Sequence, residues 1–333
     1  MEDQITVTKI DQDILLKAYR MMCHARTMAI VYDEQRQVTQ YVHSTSRGHE
    51  AIQLATGFQL KPYDAVAPYY RDESLLLGMG WTPYELMLQL LAKKEDPFSG
   101  GRSYYSHPSS NREDRPLIPH QSSATGMQAI PTTGVAQGVK YREQHQLSDD
   151  PEPPVVICSL GDGSVTEGEV SEAMQFAVLH ELPIIYLVQD NDWGISVSAD
   201  EARAMDAYEF AAGFKGMERM RVDGSDFPAS YNAMEAAINY VRTLRKPILV
   251  HAKVPLLGHH TSGVRKEWYR TEEDLEKHGK DDPGPKLRAL LLEQGIAEDV
   301  LQSIEEEADQ YIRAEFEKAK AAAEPLAEDA TEH

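Results

Sequence analysis

The chain has 333 residues, 41% of them hydrophobic and 26% charged. A globular chain of this length hides roughly 75% of the surface its unfolded form exposes, so its core needs no staples. The charge is less ordinary: 33 Lys and Arg against 54 Asp and Glu leave a formal net charge of −21. A surface of that sign repels phosphate backbones and anionic headgroups, which excludes nucleic acid and membrane as general partners. Any anionic ligand must therefore be held by groups placed for it.

Cys23 and Cys158 stand far apart, in no CxxC or metal spacing, and read as two buried, reduced thiols. The opening MEDQITVTKIDQD is acidic and has no apolar centre, so no signal peptide is expected. No apolar run approaches the ~20 residues that span a bilayer. A cytoplasmic location is the resulting expectation.

In chain order, apolar residues at Ile14, Leu15, Ala18, Met21, Met22, Ala25, Met28 and Tyr32 recur at helical spacing and predict a helix over 14–37, its methionines core filler. Further helices are expected over 48–58 and 83–91, the latter opened by Thr82 as cap and Pro83 in the first turn. Residues 95–125 are rich in Gly, Pro, Ser and charge, and loops of that length are functional or disordered. Helical spacing returns from Pro131 to Gln144, followed by the polar connector SDDPEPP.

Next comes the clearest unit. A β-branched run at 155–159 predicts a buried strand, GDGS (161–164) turns the chain, 167–181 has helical periodicity, and IIYLV (184–188) predicts a second buried strand. Strand, helix, strand is a βαβ crossover and implies a parallel sheet. Strand signals at 220–222 and 248–254 flank a helix over 230–244. The chain from Pro285 reads as helical and charged, fading into a frayed tail, KAKAAAEPLAEDATEH. No internal repeat is visible. The fold expected is α/β: a doubly wound, mainly parallel sheet flanked by helices, with a helical extension at 1–45, the α/β domain at 46–285 and a helical segment at 286–333.

In open parallel sheets ligands bind beyond the carboxyl ends of the strands. Asp162 follows the first strand directly, and Gln189-Asp190-Asn191-Asp192 follows the second. A carboxylate, an amide oxygen and a backbone carbonyl are hard ligands suited to magnesium, which takes few protein ligands and completes its shell with phosphate oxygens and water. Gly161 and Gly163 permit close approach of an anion, and Gly163-Ser164 precede a helix whose first amides favour negative charge. A GDG triplet alone is usually a turn. GDG, 27 intervening residues and an Asn at the next strand end is a far rarer coincidence, and suggests a metal-bridged diphosphate.

The stretch GDGSVTEGEVSEAMQFAVLHELPIIYLVQDNDWGIS resembles the thiamine-diphosphate motif, and more closely the alpha subunit of the thiamine-dependent 2-oxo acid dehydrogenases. PYYRDESLLLGMGWTPYELMLQLLA (68–92), HQSSATGMQAIPTTGVAQG (120–138), RVDGSDFPASYNAMEAA (221–237) and GHHTSGVRKEWYRTEEDLE (258–276) are similar to that family's other segments, in order, over 45–310. The resemblance implies a thiamine-diphosphate-binding fold, with thiamine diphosphate and magnesium as cofactors. It implies that Asp162, the side chain of Asn191 and the backbone carbonyl of Trp193 bind magnesium. Tyr70, Arg71, Gly161, Gly163 and Ser164 would contact the diphosphate, Ser123 would lie by the aminopyrimidine or the metal-side loop, and His260 would stand at the active centre as its catalytic histidine. Met127 would be the apolar wedge under the cofactor. The activity implied is oxidative decarboxylation of a 2-oxo acid, with acyl transfer to the lipoyl group of a partner acyltransferase. The carboxylate that activates the aminopyrimidine belongs in this family to a beta subunit, so an α₂β₂ heterotetramer is expected. The histidine pair and the VDG…YNA block favour the branched-chain (2-oxoisovalerate) branch over the pyruvate branch.

The chain departs from that pattern in places. Gln189 and Leu256 stand where arginines are usual, and glutamine cannot reproduce a guanidinium's bidentate anion contact. Thr261 holds the position of a regulatory phosphoserine. His43 and His49 flank Arg47-Gly48 but lack a third zinc ligand, and His43 is expected in the substrate channel. The alternatives are a transketolase-type enzyme, which needs a pyrimidine domain for which the chain has little room, a homologue that binds without turnover, and a nucleotide-binding module, disfavoured because no GxGxxG follows an early strand.

Overall fold

The computed structural model describes residues 9–331. The first eight residues, on which most of the signal-peptide reading falls, and the last two of the tail lie outside the described residues. The chain runs α1 (Gln12–Glu34), α2 (Glu50–Gly57), β1 (Ala65–Ala67), α3 (Glu73–Gly78), α4 (Pro83–Leu90), α5 (Ala129–Gln144), β2 (Val156–Gly161), α6 (Gly168–Leu179), β3 (Ile184–Asp190), a small hairpin of β4 (Trp193–Gly194) and β5 (Val197–Ser198), α7 (Ala199–Ala202), α8 (Ala207–Ala211), β6 (Glu218–Asp223), α9 (Phe227–Leu244), β7 (Ile248–Lys253), α10 (Glu272–Gly279), α11 (Pro283–Glu293) and α12 (Glu298–Ala321).

Five parallel strands form one sheet in the order β1-β2-β3-β7-β6. The central strands are apolar along their whole length because both faces are covered. Successive residues go to opposite faces. Ile157, Ile185, Leu187, Ile248 and Val250 belong to one core with residues of α1, α2, α9 and α12, while Val156, Cys158, Leu160, Ile184, Tyr186 and Val188 belong to a second with residues of α5, α6 and α8. The doubly wound sheet read from the sequence is the one observed. Helices α1 and α12 pack on each other and share the first of these cores with the sheet.

Local chemistry sets the ends. Thr82 and Glu85 form a reciprocal capping box, with Pro83 in the first turn. Asp226 caps α9, which therefore starts at Phe227, earlier than its apolar spacing suggests. Helices α2 and α3 approach so closely that a Cβ on Gly57 would lie 2.8 Å from the Cα of Gly78, a contact only glycine permits.

Two sequence expectations need correction, on Cys23 and on the tail, and one strand was not foreseen. Strand β1 has three buried residues, too few for a pattern. Cys23 is half-buried, whereas Cys158 is fully buried; both are free thiols. The tail is docked as far as it is described: the Lys94 amide donates to the Ala323 carbonyl (2.9 Å), Lys94 pairs with Asp329 (2.6 Å), and Lys93 pairs with Glu324. These contacts anchor what its composition made look frayed. Helix α6 begins at Gly168, one residue from the start read in the sequence, and Gly163 and Ser164 precede it in a separate 3₁₀ turn. Among the described residues no helix is long and apolar enough to cross a membrane.

Candidate active site

A cleft of about 640 Å³ opens at the carboxyl ends of β2 and β3. Gly161, Asp162, Gly163 and Ser164 enter it from the first strand end, Asn191, Trp193, Gly194 and Ile195 from the second, Tyr70 and Arg71 from the loop before α3, Ser123 from the long loop, and His260 from the loop after β7. Ten of the residues singled out from sequence are thus brought together. Met127 is not. Its neighbours Gly126 and Gln128 line the cleft, but Gly126 takes a left-handed φ of +76°, and Met127 is turned out with 44% of its surface exposed. Val42, Pro68, Ala124 and Ile195 are apolar residues that do line the cleft, and Ile195 is held at φ +59°, a strained conformation for a β-branched residue of the kind that clusters at functional sites.

The cleft floor is a closed network. Asn191 donates its amide to Nε2 of His49 (3.1 Å), which fixes the proton of that ring on Nδ1, donated to Oε1 of Gln189 (2.9 Å). Gln53 donates to the same oxygen (2.8 Å), and Nε2 of Gln189 donates to Asp72 (2.7 Å) and Ser159 (3.0 Å). Gln189 is fully buried and sits beneath the cleft rather than on its wall. Burial, seconded by the charge of Arg71, pushes His49 down to about 3, so the ring is neutral and can accept from Asn191. Sequence reasoning weighed His49 only as a zinc ligand, and nothing in its spacing signals this supporting role.

Three buried polar atoms at or beside the cleft have no partner among the described residues: Arg71 Nε, Trp193 Nε1 and His260 Nδ1. Such groups are costly unless a ligand or water satisfies them. The rest of Arg71 is spent on the carbonyls of Thr45, His259 and His260, at 3.2–3.4 Å, which ties the histidine loop over the cleft. Burial and Arg71 push His260 down to about 3, leaving it neutral against the Tyr70 ring (5.9 Å). A Cβ on Gly163 would lie 3.8 Å from Gly194 Cα, so the two strand-end turns face each other across glycines. The Ser164 hydroxyl donates to the Gly161 carbonyl (2.6 Å), leaving its backbone amide as the donor toward a ligand.

Asp162 is the only carboxylate among the described cleft residues. Burial and the neighbouring Asp190 raise its carboxyl to about 6, against the pull of Arg203. Burial acts on Asp190 in the same sense, but the hydrogen bond from His251 (2.9 Å) and the charges of Lys253 and Arg203 hold it well below the carboxylate range. Among the described residues no three His, Cys, Asp or Glu side chains form a metal cage. A cation that takes one carboxylate, neutral oxygens and phosphate does not require one. Leu256 is buried away from the cleft, and its carbonyl accepts from Arg270 (2.6 Å), whose guanidinium lies over the Trp193 ring at 5.5 Å.

The remaining wall is aromatic. His43 lines it, packed edge-on to Tyr32 and Tyr105. The Tyr105 hydroxyl donates to the fully buried Glu73. Burial raises Glu73 to about 8, so the folded chain keeps a proton that the unfolded chain releases above pH ~4.5. That stability is complete below the ordinary carboxylate range and is lost as pH rises through about 8. Glu73→Gln should therefore match the wild type at pH 4 and exceed it by about 2 kcal/mol or more at pH 8 in denaturant unfolding. Parallel pH profiles for the two proteins would refute this assignment.

Comparison with known proteins agrees with the geometry. The model of the dehydrogenase E1 component family matches residues 19–328. The chain is 29% identical over 268 residues to 2-oxoisovalerate dehydrogenase subunit alpha 1, mitochondrial, of Arabidopsis thaliana, covering 80% of this chain and 54% of that protein. It is 30% identical over 257 residues to 2-oxoisovalerate dehydrogenase subunit alpha of Bacillus subtilis, covering 77% and 74%. Over 276 residues it is 30% identical to pyruvate dehydrogenase E1 component subunit alpha of Mycoplasma genitalium, covering 81% and 70%. The chain spans about half the length of the Arabidopsis relatives it matches.

Proposed function

Because the chain belongs to the dehydrogenase E1 component family, we propose that it is the alpha subunit of a thiamine-diphosphate-dependent 2-oxo acid dehydrogenase of the branched-chain type. The observation that carries this reading is the cleft itself. One buried carboxylate, one held amide, two facing glycine turns and three unpartnered polar atoms converge at the ends of adjacent parallel strands. The names of several relatives favour a branched-chain 2-oxo acid as substrate.

In this proposal Asp162, the Asn191 amide oxygen and the Trp193 carbonyl would hold magnesium, which would offset the charge of a bound diphosphate. Arg71 offers its unpartnered Nε to the diphosphate as a charge-assisted donor, beside the backbone amides of Gly163 and Ser164. Tyr70 and Gly161 shape the same wall, and Ser123 reaches it from the long loop. Bound thiamine diphosphate supplies the reactive carbon and the electron sink, while the protein supplies orientation and electrostatics. His260, neutral and with Nδ1 free, is the group placed to exchange a proton with the substrate. The Tyr70 ring packs edge-on against Tyr69 on one side and His260 on the other, at 5.1 and 5.9 Å.

With Asp162 given to the metal, no carboxylate remains among the described cleft residues to activate the aminopyrimidine. A beta subunit would bring it, in an α₂β₂ assembly that passes the acyl group to a lipoyl-bearing acyltransferase in the cytoplasm. The test is decarboxylation by the chain assembled with its beta subunit, using an artificial electron acceptor. Thiamine-dependent turnover of 2-oxoisovalerate in excess of pyruvate is expected. Bound cofactor with turnover of neither acid would make the chain a binding protein and overturn the enzyme reading.

A further inference from the structure

Behind the cleft lies a second, charged cavity of about 800 Å³, lined among others by Asp190, Arg203, His251 and Lys253. Asp162 lines the first cavity and not the second, whereas Arg203 lines the second and not the first. The guanidinium of Arg203 forks across the wall between them. Nη1 donates to Oδ2 of Asp162 and Nη2 to Oδ1 of Asp190, each at 2.7 Å. All three side chains are nearly buried, at 11%, 5% and 2% exposure. One cation thus clasps the last residue of β3 and the residue just after β2 from behind.

A carboxylate held by a planar fork keeps one orientation. Two buried carboxylates without that charge would repel and turn apart. We propose that Arg203 is a positioning residue for the metal site: it holds Asp162 from the rear, with one oxygen engaged, so that the carboxylate meets a divalent cation on the cleft side. Arg203 touches neither the cation nor the cofactor and acts only through Asp162. This inference rests on the reading of the cleft as a metal–diphosphate site. Asp190 is the anchor of the clasp, since His251 (2.9 Å) and Lys253 (3.3 Å) fix it independently. Nothing in the spacing of the sequence marks Arg203, which follows the short helix α7 after the hairpin.

The test measures the Mg²⁺ concentration that gives half-maximal binding of thiamine diphosphate to the α–β assembly, by calorimetry at fixed pH. Outer-shell groups of this kind tune metal affinity about 10–100-fold. Arg203→Gln should raise the half-saturating Mg²⁺ by about that factor, with binding restored at saturating Mg²⁺. Arg203→Lys, which keeps the charge without the fork, should fall between the two. Mn²⁺ titration followed by electron paramagnetic resonance gives the same ranking without reference to activity. If Arg203→Gln does not fold, the lysine variant decides. An unchanged half-saturating Mg²⁺ in a folded variant overturns the role of Arg203, whereas a wild type that binds the cofactor equally well without metal overturns the site reading and this inference with it.

Discussion

Replacing Gln189 by leucine is expected to cost the fold at least about 3 kcal/mol, although the side chains are similar in size. Gln189 is fully buried, and both ends of its amide are used. Oε1 accepts from His49 and Gln53, and Nε2 donates to Asp72 and Ser159. Leucine would leave these four partners facing an apolar group, and each buried polar group left unsatisfied costs about 1–3 kcal/mol. The damage would reach the site, because His49 is what holds the amide of Asn191. Denaturant unfolding of the isolated chain measures the first effect and cofactor titration of the assembly the second. A loss below about 1 kcal/mol would show that the network carries little of the fold's stability.

The same residue shows where sequence reading stopped. Glutamine in place of an expected arginine looked like a gap in the anion site. In the structure it is the centre of a buried network, and an arginine there would offer no acceptor to His49 or Gln53. The parallel sheet was legible because its central strands are apolar throughout and bounded by glycine, proline and acidic turns, which few other folds require. The strand-end residues were legible because one spacing joins Asp162 to Asn191. Arg203, His49 and Glu73 were not, since each acts through neighbours that only the folded chain brings close. The outward placement of Met127 was not legible either: Gly126 beside it has a positive φ, and no pattern of residue types records which way such a turn faces.

Asp162→Ala has the largest effect expected on the cofactor. Its carboxylate is the only one among the described cleft residues, it is 4% exposed, and the Arg203 guanidinium behind it is shared only with Asp190 and, at longer range, Asp192. Alanine would remove the ligand and leave Arg203 beside the vacated position, adding repulsion to a lost bond. Since outer-shell partners alone are worth about 10–100-fold in metal affinity, loss of the direct ligand should exceed that range. Asp162→Asn, of the same size, separates the charge from the volume. Calorimetric titration of the α–β assembly with thiamine diphosphate, with Mg²⁺ and with chelator, tests the account most directly. The result expected is saturable, Mg²⁺-dependent binding by the wild type, weakened more than 100-fold in Asp162→Ala. Equal affinity in the two proteins, or binding indifferent to Mg²⁺, would contradict it.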